Sequence, residues 1–142
     1  MKKFANVSTR VAKSAALAFV LSSSVQFAHA ETDSALLRLA KNLCEAAKTD
    51  DRSGMRKKLK MANMRLKDIY FAIQCGSTGS LLRVATESGS LEAATYISTQ
   101  VGSKGIQDKG SDGKDIIEWT QNLVTAGDSK KQAFVDLFKS KI

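Results

Sequence analysis

Cys44 and Cys75 are the side chains in this sequence whose type and placement point most directly to one chemistry, and they are its only cysteines. They lack the Cys-x-x-Cys spacing of a redox pair. A zinc site would need further ligands, and the single histidine, His29, stands far upstream of both. In an oxidising compartment an isolated pair in a small domain is most simply a disulfide. Closing a loop of that length is worth about 3.5 to 4 kcal/mol in the chain-entropy model.

Beyond His29 no residue can serve as the base of a Ser-His-Asp or Cys-His system. The 14 acidic residues are scattered, with no two fixed by spacing for paired acid–base work. Gly76-Ser77-Thr78-Gly79 has two glycines and two hydroxyls, yet no Gly-Lys-Ser/Thr follows, so it reads as a turn rather than a phosphate loop. Asp108, Asp112 and Asp115 lack the positions of an EF-hand calcium loop. No metal and no cofactor is expected, and the chain is read as non-enzymatic.

What remains is charge. Arg52, Arg56, Lys60 and Lys67 fall on one predicted helix face. Such a face is either simply solvated or a stripe for an anionic partner, a phosphate-bearing envelope surface or an acidic protein. No aromatic residues are interleaved with these cations to stack on bases, so nucleic acid is not an expected partner.

The setting comes from residues 1–30. Lys2, Lys3, Arg10 and Lys13 precede the apolar run Ala15–Leu21, and Ala28-His29-Ala30 supplies a small-residue cleavage site, the three parts of a secretory signal. The apolar run is too short for a bilayer, which needs about 20 such residues. Cleavage after Ala30 is expected, with no cysteine nearby to carry a lipid, giving a soluble periplasmic or secreted product. Its net charge falls from +8 to +4, because the signal holds four of the 22 basic residues and none of the acids. Residues 31–142 suffice for one small domain with a modest core.

Within that domain the apolar spacing is helical throughout. Leu36, Leu39, Ala40, Leu43 and Ala47 form one stripe from about Asp33, with Thr32, Asp33 and Ser34 as candidate N-caps. Met55, Leu59, Ala62, Leu66, Ile69 and Ile73 form a second, on one face of a helix or of two helices in tandem. Gly79–Thr99 predicts two short antiparallel helices: Leu81, Leu82, Val84 and Ala85 face inward on one, Leu91, Ala94, Tyr96 and Ile97 on the other. Gly89 supplies the turn, and Ser90 is placed to cap the second helix. Val101–Gly113, with four glycines, is expected to be an exposed, mobile loop. Ile116, Ile117, Thr120, Leu123 and Val124, then Phe134, Leu137 and Phe138, give a last pair, with Trp119 assigned to the core.

These elements form three helix-pair units, 36–75, 79–101 and 113–140. Leu43, Leu82 and Ile117 recur at steps near the roughly 33-residue ankyrin period, and Leu82, Ala85, Gly89 and Ile97 resemble that family's inner leucine, alanine, inter-helix glycine and closing leucine. The resemblance implies an all-α fold of stacked antiparallel helix hairpins, an ankyrin-like short solenoid with one intramolecular disulfide. The sequence has no proline and no Thr-Pro-Leu-His segment, and its third unit carries an insertion before Gly127. A second resemblance rests on Leu43-Cys44-Glu45-Ala46-Ala47, Ile73-Gln74-Cys75-Gly76 and Ser80-Leu81-Leu82-Arg83-Val84-Ala85. These look like a family of small exported proteobacterial proteins of unknown function, in which Leu-Cys precedes a basic helix and Cys-Asn-Gly a Ser-Leu-Leu helix; the Asn is missing here. It implies a fold and a compartment but no activity.

The leading expectation is therefore an exported protein-binding module of the envelope, of immunity or inhibitor type, with another envelope or secreted protein as partner and Arg83, Glu87, Lys104 and Lys109 as contacts. The alternative is a peripheral binder of an anionic envelope surface through Arg52, Arg56, Lys60 and Lys67.

Overall fold

The computed structural model describes residues 26–142. The expected signal segment lies outside the described residues apart from Gln26–Ala30, which are helical. Among the described residues all regular structure is helical: α1 (Gln26–Lys48), α2 (Arg52–Met61), α3 (Leu66–Ile69), α4 (Leu81–Ser88), α5 (Leu91–Ile106), α6 (Ile116–Thr125) and α7 (Gln132–Lys139), with single 3-10 turns at Tyr70–Ala72, Gly76–Thr78 and Ser129–Lys131. No helix among them is long and apolar enough to cross a membrane.

The helices pack in two rows. α1 lies against α4 and α4 against α6, while α5 lies against both α2 and α7; the pairs α1/α2, α4/α5 and α6/α7 join the rows. Leu43, Met55, Leu66, Leu81, Leu82, Ile97, Ile106 and Phe138 are fully buried between them. The Cys44–Cys75 disulfide is formed, tying α1 to the turn before α4.

One turn closes all three pairs. Asp50, Gly89 and Gly127 each take a positive φ. The next residue's N–H then reaches back five positions, from Asp51 to Ala46, Ser90 to Ala85 and Asp128 to Leu123, at 2.9, 2.8 and 3.0 Å. These three donors share a backbone conformation, with φ/ψ of −87/72, −83/80 and −86/75°. Aligned on this turn, Leu43 and Leu82 correspond to buried Thr120 rather than to Ile117. The insertion expected in the third unit disappears. Thr120 escapes a search for leucine because its hydroxyl is satisfied within the helix, donating to the Ile116 carbonyl at 2.6 Å.

The turns are also bonded to one another. Ser90 donates to the Lys48 carbonyl at the end of α1 (3.0 Å), and Asp50 accepts from the Ala93 N–H in the first turn of α5 (2.7 Å). Ser90 thus satisfies α1, and the capping of α5 expected from it comes from Asp50. One unit further on, Lys131 donates to the Glu87 carbonyl near the end of α4 (3.0 Å). Helix ends leave carbonyls and N–H groups without intrahelical partners, and here the neighbouring unit supplies them.

Three other expectations need correction. α1 is already helical at Gln26, the first described residue, so Thr32, Asp33 and Ser34 lie inside a helix instead of capping one. Leu36, Ala62 and Leu91 are exposed: Leu36 precedes the packed part of α1, Ala62 follows the last turn of α2, and Leu91 opens α5. Of the two arrangements open for the second apolar stripe, the structure has two helices in tandem, broken after Met61, where Asn63 takes a positive φ and turns the chain into α3. Finally, Val101–Gly113 is not all loop. α5 runs to Ile106 across a non-helical Gly102, and Gly105 and Ile106 are buried, because the extra turn gives the core another isoleucine.

Candidate functional site

The eight charged residues singled out by sequence fall in different surroundings. Arg83 is buried on α4. Its guanidinium donates to both Asp112 carboxylate oxygens (2.7 and 3.1 Å) and to the Lys114 carbonyl (2.8 Å), and it lies 5.2 Å from the centre of the Trp119 ring. All of this joins the second unit to α6 and the loop before it, and with only 10% of its side chain exposed Arg83 presents little to a partner. Trp119, half-buried, is the apolar cover of that ion pair.

Glu87 is exposed and accepts from Thr78 (2.9 Å). Lys109 pairs with Glu118 at 3.7 Å and donates to the Gly113 carbonyl at 3.2 Å, while Lys104 lies over Phe71, 5.4 Å from the ring centre. These residues do not converge. Glu87 lines a groove of about 560 Å³ between α1 and α4, floored by the disulfide, whereas Lys109 lines hollows bounded by the 107–115 loop.

Two of the three acids weighed for calcium have other work. Asp112 holds Arg83, and Asp115 caps α6 by accepting from Glu118 N–H (2.9 Å), with the Glu118 carboxylate returning to the Asp115 N–H (3.3 Å). No group of three His, Cys, Asp or Glu among the described residues is placed to hold a metal ion. The guanidinium beside Asp112 and the Lys114 N–H pull its carboxyl down to about 2. Burial pushes the Tyr70 phenol up to about 12. Both move away from neutral pH, where a general acid or base would need to sit.

Convergence occurs at the basic helix. α2 starts on Asp51, whose carboxylate accepts from Gly54 N–H (2.7 Å) and Ser53 (3.0 Å). Met55 and Leu59 bury the inner face, which turns Arg56, Lys57 and Lys60 outward. The break after Met61 brings Arg65 round to the same side. Arg56, Lys57, Lys60 and Arg65 thus line one open hollow of about 480 Å³ with Met64, Tyr96 and Gln100. Arg65 is held by Asp68 (2.7 Å). Among the described residues no carboxylate lies within ion-pairing distance of Arg56, Lys57 or Lys60. Burial raises the Tyr96 phenol, with Arg56 and Arg52 opposing, so it faces the hollow as a neutral hydroxyl.

Of the predicted basic face, Arg56 and Lys60 line this hollow. Arg52 stands beside it, paired with Glu92 at 3.2 Å, and Lys67 is exposed on α3 without lining it. Sequence periodicity missed Lys57 and Arg65. Lys57 is one position off the chosen stripe, and Arg65 reaches the site only because the helix ends at Met61.

No curated protein and no solved structure matches the chain. Residues 43–109, which include both cysteines, the cationic hollow and the α4/α5 pair, match the model of a family described as protein of unknown function (DUF3718).

Proposed function

We propose that this chain is an exported, non-enzymatic binding module of the bacterial envelope, and that its binding face is the cationic hollow on α2, which attaches it peripherally to an anionic envelope surface. The observation that carries this reading is the trio Arg56, Lys57 and Lys60, gathered round one hollow with no carboxylate partner among the described residues. Exposed cations on a folded scaffold are usually interspersed with acids, and an unbalanced group attracts anionic lipid at about 1 kcal/mol per residue near the surface. The contact set Arg83, Glu87, Lys104 and Lys109 supports a protein-binding role less well, since Arg83 is spent inside the fold. Export to the periplasm, with the signal removed after Ala30, belongs to the same proposal. So does the ankyrin-like character of the stack, which the shared turn at Asp50, Gly89 and Gly127 supports.

The test is flotation of the chain from Glu31 to Ile142 with vesicles of phosphatidylcholine alone or containing phosphatidylglycerol. Retention is expected only on the anionic vesicles, fading as salt rises to physiological strength, and dropping at least tenfold when Arg56, Lys57 and Lys60 are changed together to Gln. Retention that ignores salt, or a triple variant that binds as well as the parent, would sink the reading. Capture of an acidic envelope protein through the same three cations, with vesicles ignored, would return the chain to the immunity or inhibitor class.

A further inference from the structure

The same end of the molecule carries a feature that charge does not explain. Met61, the last residue of α2, is 78% exposed, the most exposed of the large apolar side chains among the described residues. Ala62 and Asn63, which follow it, are exposed too, and Asn63 holds a positive φ that turns the chain back into α3. The result is an exposed bend that opens on an exposed apolar side chain. Met61 follows Lys57 by one helical turn, which puts the two on one face of α2, and Lys60 and Arg65 flank the bend. Exposed apolar side chains scattered singly need no explanation; one on an exposed bend beside Lys57 and Lys60, which have no carboxylate partner among the described residues, is a different arrangement.

Resting on the reading above, we propose that the Met61–Met64 bend is a membrane-insertion tip: Met61 enters the boundary between headgroups and acyl chains while Arg56, Lys57 and Lys60 hold lipid phosphates beside it. Charge complementarity selects this occupant. An anionic bilayer presents phosphates in its outer layer and hydrocarbon beneath, in the order in which this tip presents cations and a thioether side chain. The open hollow beside the bend, lined also by Tyr96 and Gln100, has a volume of about 480 Å³ to receive a phosphate-bearing headgroup. Electrostatic attraction brings the protein to the surface, and Met61 gives the attachment a component that salt does not screen.

The experiment compares the parent chain with Met61→Gln and Met61→Leu on phosphatidylglycerol-containing vesicles at low and at physiological salt. Thermal unfolding checks that both variants fold, which the exposure of Met61 leads one to expect. Met61→Gln should lower the partition by about five- to tenfold at either salt, and Met61→Leu should bind as the parent does. Equal binding by Met61→Gln overturns the tip and leaves the charge-based reading standing. No binding of the parent to anionic vesicles at low salt removes both. Release by inorganic phosphate beyond that caused by chloride at equal ionic strength would also overturn the tip, by showing a site for soluble phosphate.

Discussion

At Arg83 a single side chain decides how two units meet. A buried guanidinium is tolerable only with its charge matched and its donors occupied, and Asp112 and the Lys114 carbonyl do both. Nothing in the local sequence announces this, since Asp112 lies 29 positions downstream in a glycine-rich stretch. Arg83 therefore looks like a surface contact until the fold is known. Its replacement by Met should cost about 1 to 3 kcal/mol in urea unfolding, because Asp112 and Lys114 lose their partner and the Trp119 ring its cover. The pH dependence has a definite sign. The Asp112 carboxyl is lowered in the folded state from 3.8 to about 2, so its contribution is complete above the unfolded value and disappears as pH falls through the folded one. Urea midpoints measured between pH 5 and pH 2 should fall less steeply for Asp112→Asn than for the parent; parallel slopes would show that other carboxylates govern acid unfolding.

Among the elements, the three turns explain which parts of the fold could be read in advance. Helix content followed from apolar spacing, and Gly89 was visible because glycine is the usual residue for a left-handed turn. Asp50 occupies the same conformation without being glycine, and Thr120 occupies a leucine position. The equivalence of the units is thus visible in the backbone and only partly in residue types. The length of α5 and the bend at Asn63 were illegible for a related reason. Ile106 continues the helix because the core accepts it, and α2 stops at Met61 with no proline or glycine to mark the place. The candidate site inherits this: Arg56 and Lys60 were legible as a face, and the hollow needed the bend. Asp50→Ala should destabilise the chain by about 1 to 2 kcal/mol, since it removes a cap from α5 and places a poorer left-handed residue in the turn. Ser90→Ala, which frees the Lys48 carbonyl across the same junction, should cost less than additively in the double variant. Chemical unfolding of the two single variants and the double measures that coupling directly.

For the whole molecule, the disulfide spans the part on which the proposed site is built. Cys44 and Cys75 are 31 positions apart and enclose α2 and α3, the two short helices that carry the cations and the bend. α3 has only four residues, too few to hold a helix by its own hydrogen bonds. It is fixed by Leu66, which is buried, and by its neighbour Tyr70 in the following turn. The crosslink limits how far this segment can stray when the chain opens, so its effect falls mainly on the unfolded state, at about 3.5 to 4 kcal/mol. Replacing both cysteines by Ser should therefore lower the unfolding free energy by roughly 2 to 4 kcal/mol. Below its lowered unfolding temperature the variant should still bind anionic vesicles, because the cations and Met61 stand on helices whose buried contacts remain. A second titration at a temperature between the two unfolding midpoints separates the roles. There the crosslinked chain should stay attached and the serine variant should detach. Detachment already at low temperature would instead make the disulfide a direct support of the hollow.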